Sequence, residues 1–357
     1  MIFDKTQFFM IEAHGGEFKK NSLNSFINTC KKIKIDNIKI FKEKKSREVT
    51  LNSILKNRDV DKDIFIFVDD IIFLKGWHKS LNKNAKAGTI IGFSMLKEDG
   101  QLIQDFGYDL IELDGSLSSS ALYRDELLTK KKLPPFRECS AVCGCAMWIS
   151  KTVLDEVKQF PLEGNNRWGE MIYSNLARRK GFKTIVLSSN LIHLGSSTKL
   201  KKDPLLSSNS WLIEKDMWNE ISLKFLNDAP ISKKLNSQFS PQFIDLIKNS
   251  KKLLIYGCGT ISNYVSKNFI TDKQKVDYAS ALSEEIGQKF NDKTIKDLKK
   301  INFFDYDKIF ISAIGYERKI IDTIPEEIRH KIITLKRSFT KNNINFEICD
   351  YKSLSNF

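Results

Sequence analysis

The amino-acid sequence predicts an α/β protein in which a doubly wound, mostly parallel sheet is followed by a smaller Rossmann-like α/β domain. Short apolar runs alternate with amphipathic segments over the first 70 or so residues, a pattern typical of parallel strands joined by crossover helices. A second pattern of strand, glycine-containing turn and helix begins at Lys252. The chain of 357 residues is long enough for two domains, each with its own core.

The first half of the chain supplies the elements of the larger sheet. Runs rich in β-branched and aromatic residues predict strands, and apolar residues at helical spacing predict helices. The predicted strands cover 8–11, 38–41, 64–68, 89–93, part of 139–150, and 184–187. The predicted helices cover 20–32, 49–55, 77–81, 151–157 and a segment that opens at Arg167–Glu170. Residues 118–132 are polar and irregular, and we expect them to form a long loop over a site.

The stretch DIFIFVDDIIFLKGW carries the clearest functional signal. A buried strand over 64–68 ends at two adjacent acids, Asp69 and Asp70. Open α/β sheets bind ligands beyond the carboxyl ends of their strands. Carboxylates there are suited to Mg²⁺ or Mn²⁺ bridging to a diphosphate. The alternative is that the two acids cap a turn.

Composition and charge narrow the class of protein. Lys and Arg number 58 against 44 Asp and Glu, a net charge of +14, but the richness in Lys, Ile, Asn and Phe is also what an AT-rich genome produces. Since no nucleic-acid-binding motif accompanies the charge, we expect no nucleic-acid partner. Scattered cysteines and the absence of a long apolar run predict a cytoplasmic protein with reduced thiols, at most peripheral to a membrane with anionic headgroups.

The later part of the chain predicts a connector and a second domain. Residues 199–250 form a polar helical connector, and 251–357 form the Rossmann-like domain. After the strand KLLIY, Gly257 and Gly259 resemble a dinucleotide-binding turn, although Ser262 stands where the third glycine belongs. Asp277 lies where a ribose-binding acid is expected. These residues form a possible ligand loop, with nicotinamide binding and a purely accessory role both open.

Four fragments, in order within residues 8–198, resemble successive motifs of one known protein family. FVDDIIFLKGW resembles the acidic metal-binding motif of that family, and IIGFSMLKEDGQLIQDFG the strand and turn that follow it. CGCAMWISKTVLDEVKQF is similar to the acceptor-side segment. WGEMIYSNLARRKGFKTIVLSSNLIHLGSS is similar to the closing segment, which carries an acid pair and a late histidine. Together these fragments resemble a family 2 glycosyltransferase with the GT-A fold, and the resemblance implies a glycosyltransferase domain over 1–198.

The resemblance also implies roles for individual residues. Glu170 matches the glutamate of the acid pair and is the candidate catalytic base, while Met171 replaces the aspartate that usually follows. A first-turn acid that interacts with the helix dipole is the alternative for Glu170. Asp70 and His193 are the candidate ligands of a Mn²⁺ or Mg²⁺ ion. The candidates for binding the sugar donor are Asp69, Asp70, Asn52, Arg47 and His14. Cys143 and Trp168 are the candidates on the acceptor side.

Taken together, these features predict a metal-dependent glycosyltransferase. The donor is a nucleotide-diphosphate sugar, and the acceptor is a saccharide or lipid-linked saccharide, as in bacterial surface-polysaccharide synthesis. Two other hypotheses stay open. One is an NAD(P)-binding oxidoreductase or sensor that uses the C-terminal domain, and the other is a noncatalytic module that binds sugar nucleotides.

Overall fold

The structure, a computed structural model, forms two compact units. It describes residues 2–43, 46–113, 116–124, 127–130, 132–162, 168–194, 235–313, 317–339 and 343–349. Among these, the first unit contains 2–110 and 119–194, and the second contains 111–118 and 235–349. Arg167 and residues 199–234 of the predicted connector lie outside the described residues.

Strands make up most of the described secondary structure, and the order of their labels follows the chain. The strands are β1 (Thr6–Glu12), β2 (Ile38–Lys42), β3 (Asp63–Val68), β4 (Ile71–Phe73), β5 (Thr89–Leu96), β6 (Ile103–Asp105), β7 (Tyr108–Leu113), β8 (Ser116–Ala121), β9 (Phe136–Glu138), β10 (Ala146–Ile149), β11 (Lys183–His193), β12 (Leu235–Phe239), β13 (Lys252–Tyr256), β14 (Lys275–Ser280), β15 (Lys289–Phe290), β16 (Lys293–Thr294), β17 (Lys296–Asp297), β18 (Lys308–Ile311), β19 (Ile332–Phe339) and β20 (Asn343–Cys349).

Helices follow the strands in both units. They are α1 (Gly16–Thr29), α2 (Arg47–Lys56), α3 (Trp77–Asn84), α4 (Lys151–Glu156), α5 (Gly169–Arg179), α6 (Pro241–Asn249), α7 (Thr260–Phe269) and α8 (Glu317–Ile321). No helix among the described residues is long and apolar enough to cross a membrane.

The first unit is built on one mixed sheet, which confirms the predicted α/β fold class. Its strand order is β2-β1-β3-β10-β5-β11-β4, with β6 beside β5 and β9 beside β11. Strands β2, β1 and β3 are parallel, β5 and β11 are parallel, and β10 runs antiparallel between β3 and β5. Because β1 lies between β2 and β3, the chain reverses its direction of winding there. Such a reversal opens a crevice beyond the carboxyl ends of the two adjacent strands, β1 and β3.

An aromatic cluster fixes helix α1 to the face of this sheet. Phe26 is fully buried and lies 4.9 Å from the ring centroids of both Phe67 and Phe73 and 5.1 Å from that of Trp77. The Trp77 indole N–H donates to the hydroxyl of Thr29 at 2.9 Å. Because Phe67 and Phe73 lie on either side of Asp69 and Asp70, this packing holds the acidic turn in place.

Two local features depart from the predicted element boundaries. Strand β11 was expected to end at 187, but it continues past a bulge between Leu187 and Leu191 and reaches His193, pairing with β4. The predicted loop over 118–132 is wrong in part, since it contains the end of β8 and a short 3₁₀ helix, Leu128–Lys130. In both cases strand pairing overrides the polar, turn-like composition of the segment.

The second unit contains a second sheet, in which β14, β13, β18 and β19 are parallel. The full order is β17-β14-β13-β18-β19-β20-β12-β7-β8. Residues 235–250, which the sequence analysis assigns to the connector, contribute β12, paired with β20, and α6. Phe243 and Ile247 of α6 are buried in the core of this unit.

The aromatic cluster generates a stability prediction. Replacing Phe26 by alanine removes a large, fully buried ring, so we expect the free energy of unfolding to fall by about 3–5 kcal/mol. Urea unfolding followed by tryptophan fluorescence measures this change, because Trp77 and Trp148 are buried in the same unit. Phe136→Ala is the matched control, since Phe136 is 52% exposed and its loss should cost less than about 0.5 kcal/mol. Equal effects of the two variants would contradict this account of the core.

Candidate functional site

The candidate site lies where the first sheet reverses its winding. Strands β1 and β3 end side by side, and Asp69 follows β3 directly. The Asp69 carboxylate accepts hydrogen bonds from the backbone N–H groups of His14 at 2.9 Å and Gly15 at 2.6 Å. Asp69 therefore ties the loop after β1 to the end of β3, and this tie brings the His14 side chain toward Asp70.

Asp70 is the centre of the site. Its Oδ2 atom lies 3.0 Å from Nε2 of His193 and 3.3 Å from Nε2 of His14. Its Oδ1 atom is buried and has no hydrogen-bond partner among the described residues. Burial alone would raise the pKa of Asp70, but the hydrogen bond from His193 and the nearby positive charges hold this pKa below its ordinary value. Asp70 is thus a buried carboxylate with one oxygen atom free to accept a ligand.

The pairing of β4 with the end of β11 places His193 beside Asp70. His193 lies opposite Ile71, the residue after Asp70, and the N–H of Leu194 donates to the Asp70 carbonyl at 2.9 Å. The Nδ1 atom of His193 lies 2.9 Å from Oε1 of Gln104. An amide oxygen there accepts a hydrogen bond from Nδ1–H, and Nε2–H donates to Asp70; loss of the Nε2 proton would make that nitrogen a metal ligand. Burial lowers the pKa of His193, but Cys145 and Asp70 together raise it to about 11.

These side chains fit a divalent metal ion. His14, Asp69 and Asp70 each offer one donor atom within 4.8 Å of the others. His193 adds a nitrogen next to the same Asp70 oxygen. Imidazole and carboxylate donors suit Mn²⁺, and the unpartnered Asp70 oxygen provides a further ligand position. A bound ion would take the place of the present contacts between the Asp70 carboxylate and the two imidazoles.

A second group of charges surrounds Glu170. The Ser46 side chain caps α2 by accepting from the N–H of Val49, so Arg47 is the first residue of that helix. The Arg47 Nη1 atom lies 3.9 Å from Oε1 of Glu170, and its Nε donates to Glu43 at 3.2 Å. Burial raises the pKa of Glu170, and although Arg47 opposes this effect, the pKa is about 7. Glu170 therefore titrates in the neutral range, as a general base does.

The segment around Gly144 fixes the position of the Glu170 carboxylate. A Cβ atom at Gly144 would overlap Oε1 of Glu170, so this carboxylate packs directly against glycine backbone. The next residue, Cys145, places its Sγ atom 3.8 Å from Nε2 of His193. A hydrogen bond with Cys143 and the charges of His193 and Arg47 lower the pKa of Cys145.

The acidic and basic groups therefore converge on one region. The Arg47 charge acts on both Asp70 and Glu170, and Cys145 contacts His193 while its charge acts on Glu170. His14, Asp70, His193, Arg47 and Glu170, which are spread over more than 150 residues of sequence, form one electrostatic network.

Three other candidates have different surroundings. The Asn52 amide is fully engaged with the backbone of Phe160, donating at 2.8 Å and accepting at 2.7 Å, so it anchors that segment. Cys143 is buried, and its thiol interacts with Cys145. Trp168 is partly buried and directly precedes α5.

Asp277 of the second unit does not lie where a ribose-binding acid is expected. It pairs in register with Leu254, in the middle of β14. Its carboxylate accepts a hydrogen bond from the Tyr306 hydroxyl at 2.7 Å and forms an ion pair with Lys296 at 2.8 Å. Gly257 and Gly259, in contrast, do follow the carboxyl end of β13.

Sequence reasoning missed three residues of the site. Cys145 and Gln104 contact His193, and Asp105, which is fully buried, has a pKa raised to about 7 by burial. Asp105 and Gln104 lie on β6, a three-residue strand without an apolar run to predict it. Cys143 and Cys145 lie just before β10 and outside any strand, so strand alternation does not decide which of them faces the site.

Comparisons with known proteins give low similarity. No protein-family model and no curated protein matches the chain. Among solved structures, GalNAc-T7 with UDP, GalNAc and Mn²⁺ aligns over 64% of this chain and 59% of its own, at 11% identity and a TM-score of 0.38. S. aureus TarS 1–349 aligns over 68% of this chain and 79% of its own, at 12% identity and a TM-score of 0.33. A197 from STIV aligns over 54% of this chain and 87% of its own, at 15% identity and a TM-score of 0.34.

The chain thus spans less than two thirds of the length of the GalNAc-T7 structure. GalNAc-T7 and TarS are glycosyltransferases. With TM-scores between 0.33 and 0.38, these similarities do not assign the chain to a family.

The geometry around Asp70 generates a metal-binding prediction. We expect Asp70→Asn to weaken Mn²⁺ binding at least about tenfold, because the variant removes the charged donor that two imidazoles surround. Titration with Mn²⁺, followed by electron paramagnetic resonance of the free ion, measures the affinity. Asp155→Asn is the control, because Asp155 is exposed and pairs with Lys151 and Arg58. Equal affinities of the two variants would exclude Asp70 as a ligand.

Proposed function

We propose that the chain is a metal-dependent glycosyltransferase that uses a nucleotide-diphosphate sugar as donor. The observation that carries the proposal is the convergence of Asp70, two imidazoles and the Arg47–Glu170 pair at the switch point of the first sheet. This arrangement supplies both functions that sugar transfer requires, a site for a diphosphate with its cation and a base for the acceptor. The order of the sequence motifs supports the same assignment.

The donor half of the site consists of His14, Asp70 and His193. In this proposal these residues hold a Mn²⁺ or Mg²⁺ ion, with Asp69 fixing the loop that carries His14. When bound, the ion supplies Lewis-acid neutralisation of the negative charge that develops on the departing nucleoside diphosphate. Arg47 adds a fixed positive charge close to the same carboxylate.

The acceptor half is Glu170. The acceptor hydroxyl oxygen forms a bond to the anomeric carbon while the bond from that carbon to the diphosphate breaks, and the hydroxyl proton passes to the Glu170 carboxylate. Glu170 is suited to this role because burial has brought its pKa to about 7, near the pH at which proton transfer is most effective. Met171 is buried beside it, so Glu170 is the only carboxylate of this motif.

The acceptor class follows from the sequence resemblance alone. It is a saccharide or a lipid-linked saccharide, as in the synthesis of bacterial surface polysaccharides. The net charge of +14 favours peripheral contact with anionic headgroups at the membrane where such acceptors reside.

Donor hydrolysis tests the metal half of the proposal. We expect slow Mn²⁺-dependent hydrolysis of one member of a panel of UDP-, GDP-, CDP- and dTDP-sugars, measured as release of the nucleoside diphosphate. Asp70→Ala should abolish it, because the charged metal ligand is lost. Asp155→Ala, on the exposed surface of the same unit, should leave it unchanged. Hydrolysis that persists in Asp70→Ala would remove the assignment.

The base assignment predicts a separate kinetic effect. We expect Glu170→Gln to lower the rate of transfer by about 10²- to 10⁴-fold while donor affinity stays nearly constant, because the amide cannot take a proton. Glu156→Gln, a half-exposed acid paired with Lys180, is the control. Equal losses of rate and of donor affinity in Glu170→Gln would contradict the role as base.

The same assignment fixes the direction of the pH dependence. A general base acts in its unprotonated form, so the wild-type rate should reach a plateau above pH 7 and fall about tenfold per pH unit below it, since the pKa of Glu170 is about 7. The inflection should be missing in Glu170→Gln. An unchanged profile in that variant would assign the inflection to another group.

A further inference from the structure

The second unit has a crevice of its own at the carboxyl edge of its sheet. Its parallel strands lie in the order β14-β13-β18-β19, so the chain reverses its direction of winding between β13 and β18. In open α/β sheets this is the position at which ligands bind. The residues that follow these strands are Gly257 to Gly259 after β13, the segment 281–285 after β14, and Ser312 after β18.

The turn after β13 is built for close approach of a ligand to backbone. Gly257 has a φ of +94°, and its N–H donates to the Ala279 carbonyl at 3.0 Å. A Cβ atom added to Gly259 would meet nothing within 4 Å, so open space lies in front of the start of α7. The described residues provide no acceptor for the N–H groups of Gly259, Thr260 and Ile261. These groups and the positive end of the helix dipole favour an anion.

A buried carboxylate supplies a second, independent observation. Glu285 is 3% exposed, and no residue whose side chain the structure describes donates a hydrogen bond to its carboxylate or forms an ion pair with it. Burial raises the pKa values of Tyr256 and Cys258, the residues on either side of Gly257, and the negative charge of Glu285 raises both further. A buried carboxylate without partners is costly unless a ligand provides hydrogen-bond donors.

The position of Glu285 indicates what those donors are. It follows the carboxyl end of β14, the second strand of this unit, and an acid beyond that strand can accept hydrogen bonds from ribose hydroxyls. Asp277 was predicted for this role, but it lies within β14. Its carboxylate forms an ion pair with Lys296 and accepts a hydrogen bond from Tyr306. Glu285 therefore takes the place that the spacing in the sequence had suggested for Asp277.

We infer that the second unit binds a ribonucleotide that carries a diphosphate. The diphosphate lies at the start of α7, against Gly259, and the ribose hydroxyls donate to Glu285. Nicotinamide dinucleotides and nucleotide sugars share this chemistry. The inference is independent of the proposed transferase activity, because all its residues belong to the second unit.

The test measures nucleotide binding to the full-length Asp70→Ala variant in the presence of EDTA. The substitution and the chelator together prevent metal-dependent binding at the site in the first unit. NADH and UDP-glucose are titrated by calorimetry, and we expect at least one to bind with a Kd below about 1 mM. The ligand that binds more tightly shows whether the site prefers a nicotinamide dinucleotide or a nucleotide sugar.

Two variants and a control locate the binding site. Gly259→Val should weaken binding at least tenfold without changing the melting temperature, because the extended backbone (φ −96°, ψ −170°) accepts valine and the side chain fills the space of the diphosphate. Glu285→Gln should weaken binding about tenfold through loss of a charged acceptor. Glu284→Gln removes the same charge one residue away and should have no effect.

Failure of both ligands to bind would overturn the inference. Unchanged affinity in Gly259→Val would also overturn it, as would equal effects of Glu285→Gln and Glu284→Gln. If Gly259→Val does not fold, the comparison of the two glutamate variants decides. None of these outcomes bears on Mn²⁺-dependent donor hydrolysis by the wild-type chain, so the two proposals fail separately.

Discussion

The Asp70 carboxylate is the constraint on which the first unit depends. A carboxylate that is 2% exposed requires positive partners, because an unpaired buried charge costs several kcal/mol. His14, His193 and Arg47 supply them, and each comes from a different segment that must fold correctly to reach it. The loop after β1 is held by Asp69, the end of β11 by its pairing with β4, and Arg47 by the cap of α2.

This dependence explains why one oxygen of Asp70 remains unpartnered. The two imidazoles share Oδ2, and backbone contacts fix the segments that carry them, so neither is placed to serve Oδ1 as well. A divalent ion satisfies such a carboxylate better than protein groups do, because it attracts several donors at once. Binding of such an ion would be coupled to the folding of this region, as is common where ligands come from separate segments.

The parts of the structure that were predictable from sequence are those with dense local signals. The strand over 64–68, the acids that end it, and the turn at Gly257 follow from short apolar runs with abrupt polar ends. Strand β6 and the end of β11 were not predictable, because tertiary pairing forms them against local preference. Gln104 and Cys145 reach His193 only through that pairing, so no pattern of spacing could have found them.

Asp277 and Met171 show two different limits of motif matching. Asp277 satisfied a spacing rule, but the register of β14 places it in the middle of the strand, where Lys296 forms an ion pair with it and Tyr306 donates a hydrogen bond to it. Met171 broke a motif, but its consequence is electrostatic. A second carboxylate next to Glu170 would raise the pKa of Glu170 further, by like-charge repulsion, whereas with methionine there the balance of burial, Arg47 and Glu48 keeps it near 7. The substitution therefore leaves one carboxylate at this position with a pKa of about 7, because burial and the surrounding charges decide its protonation state.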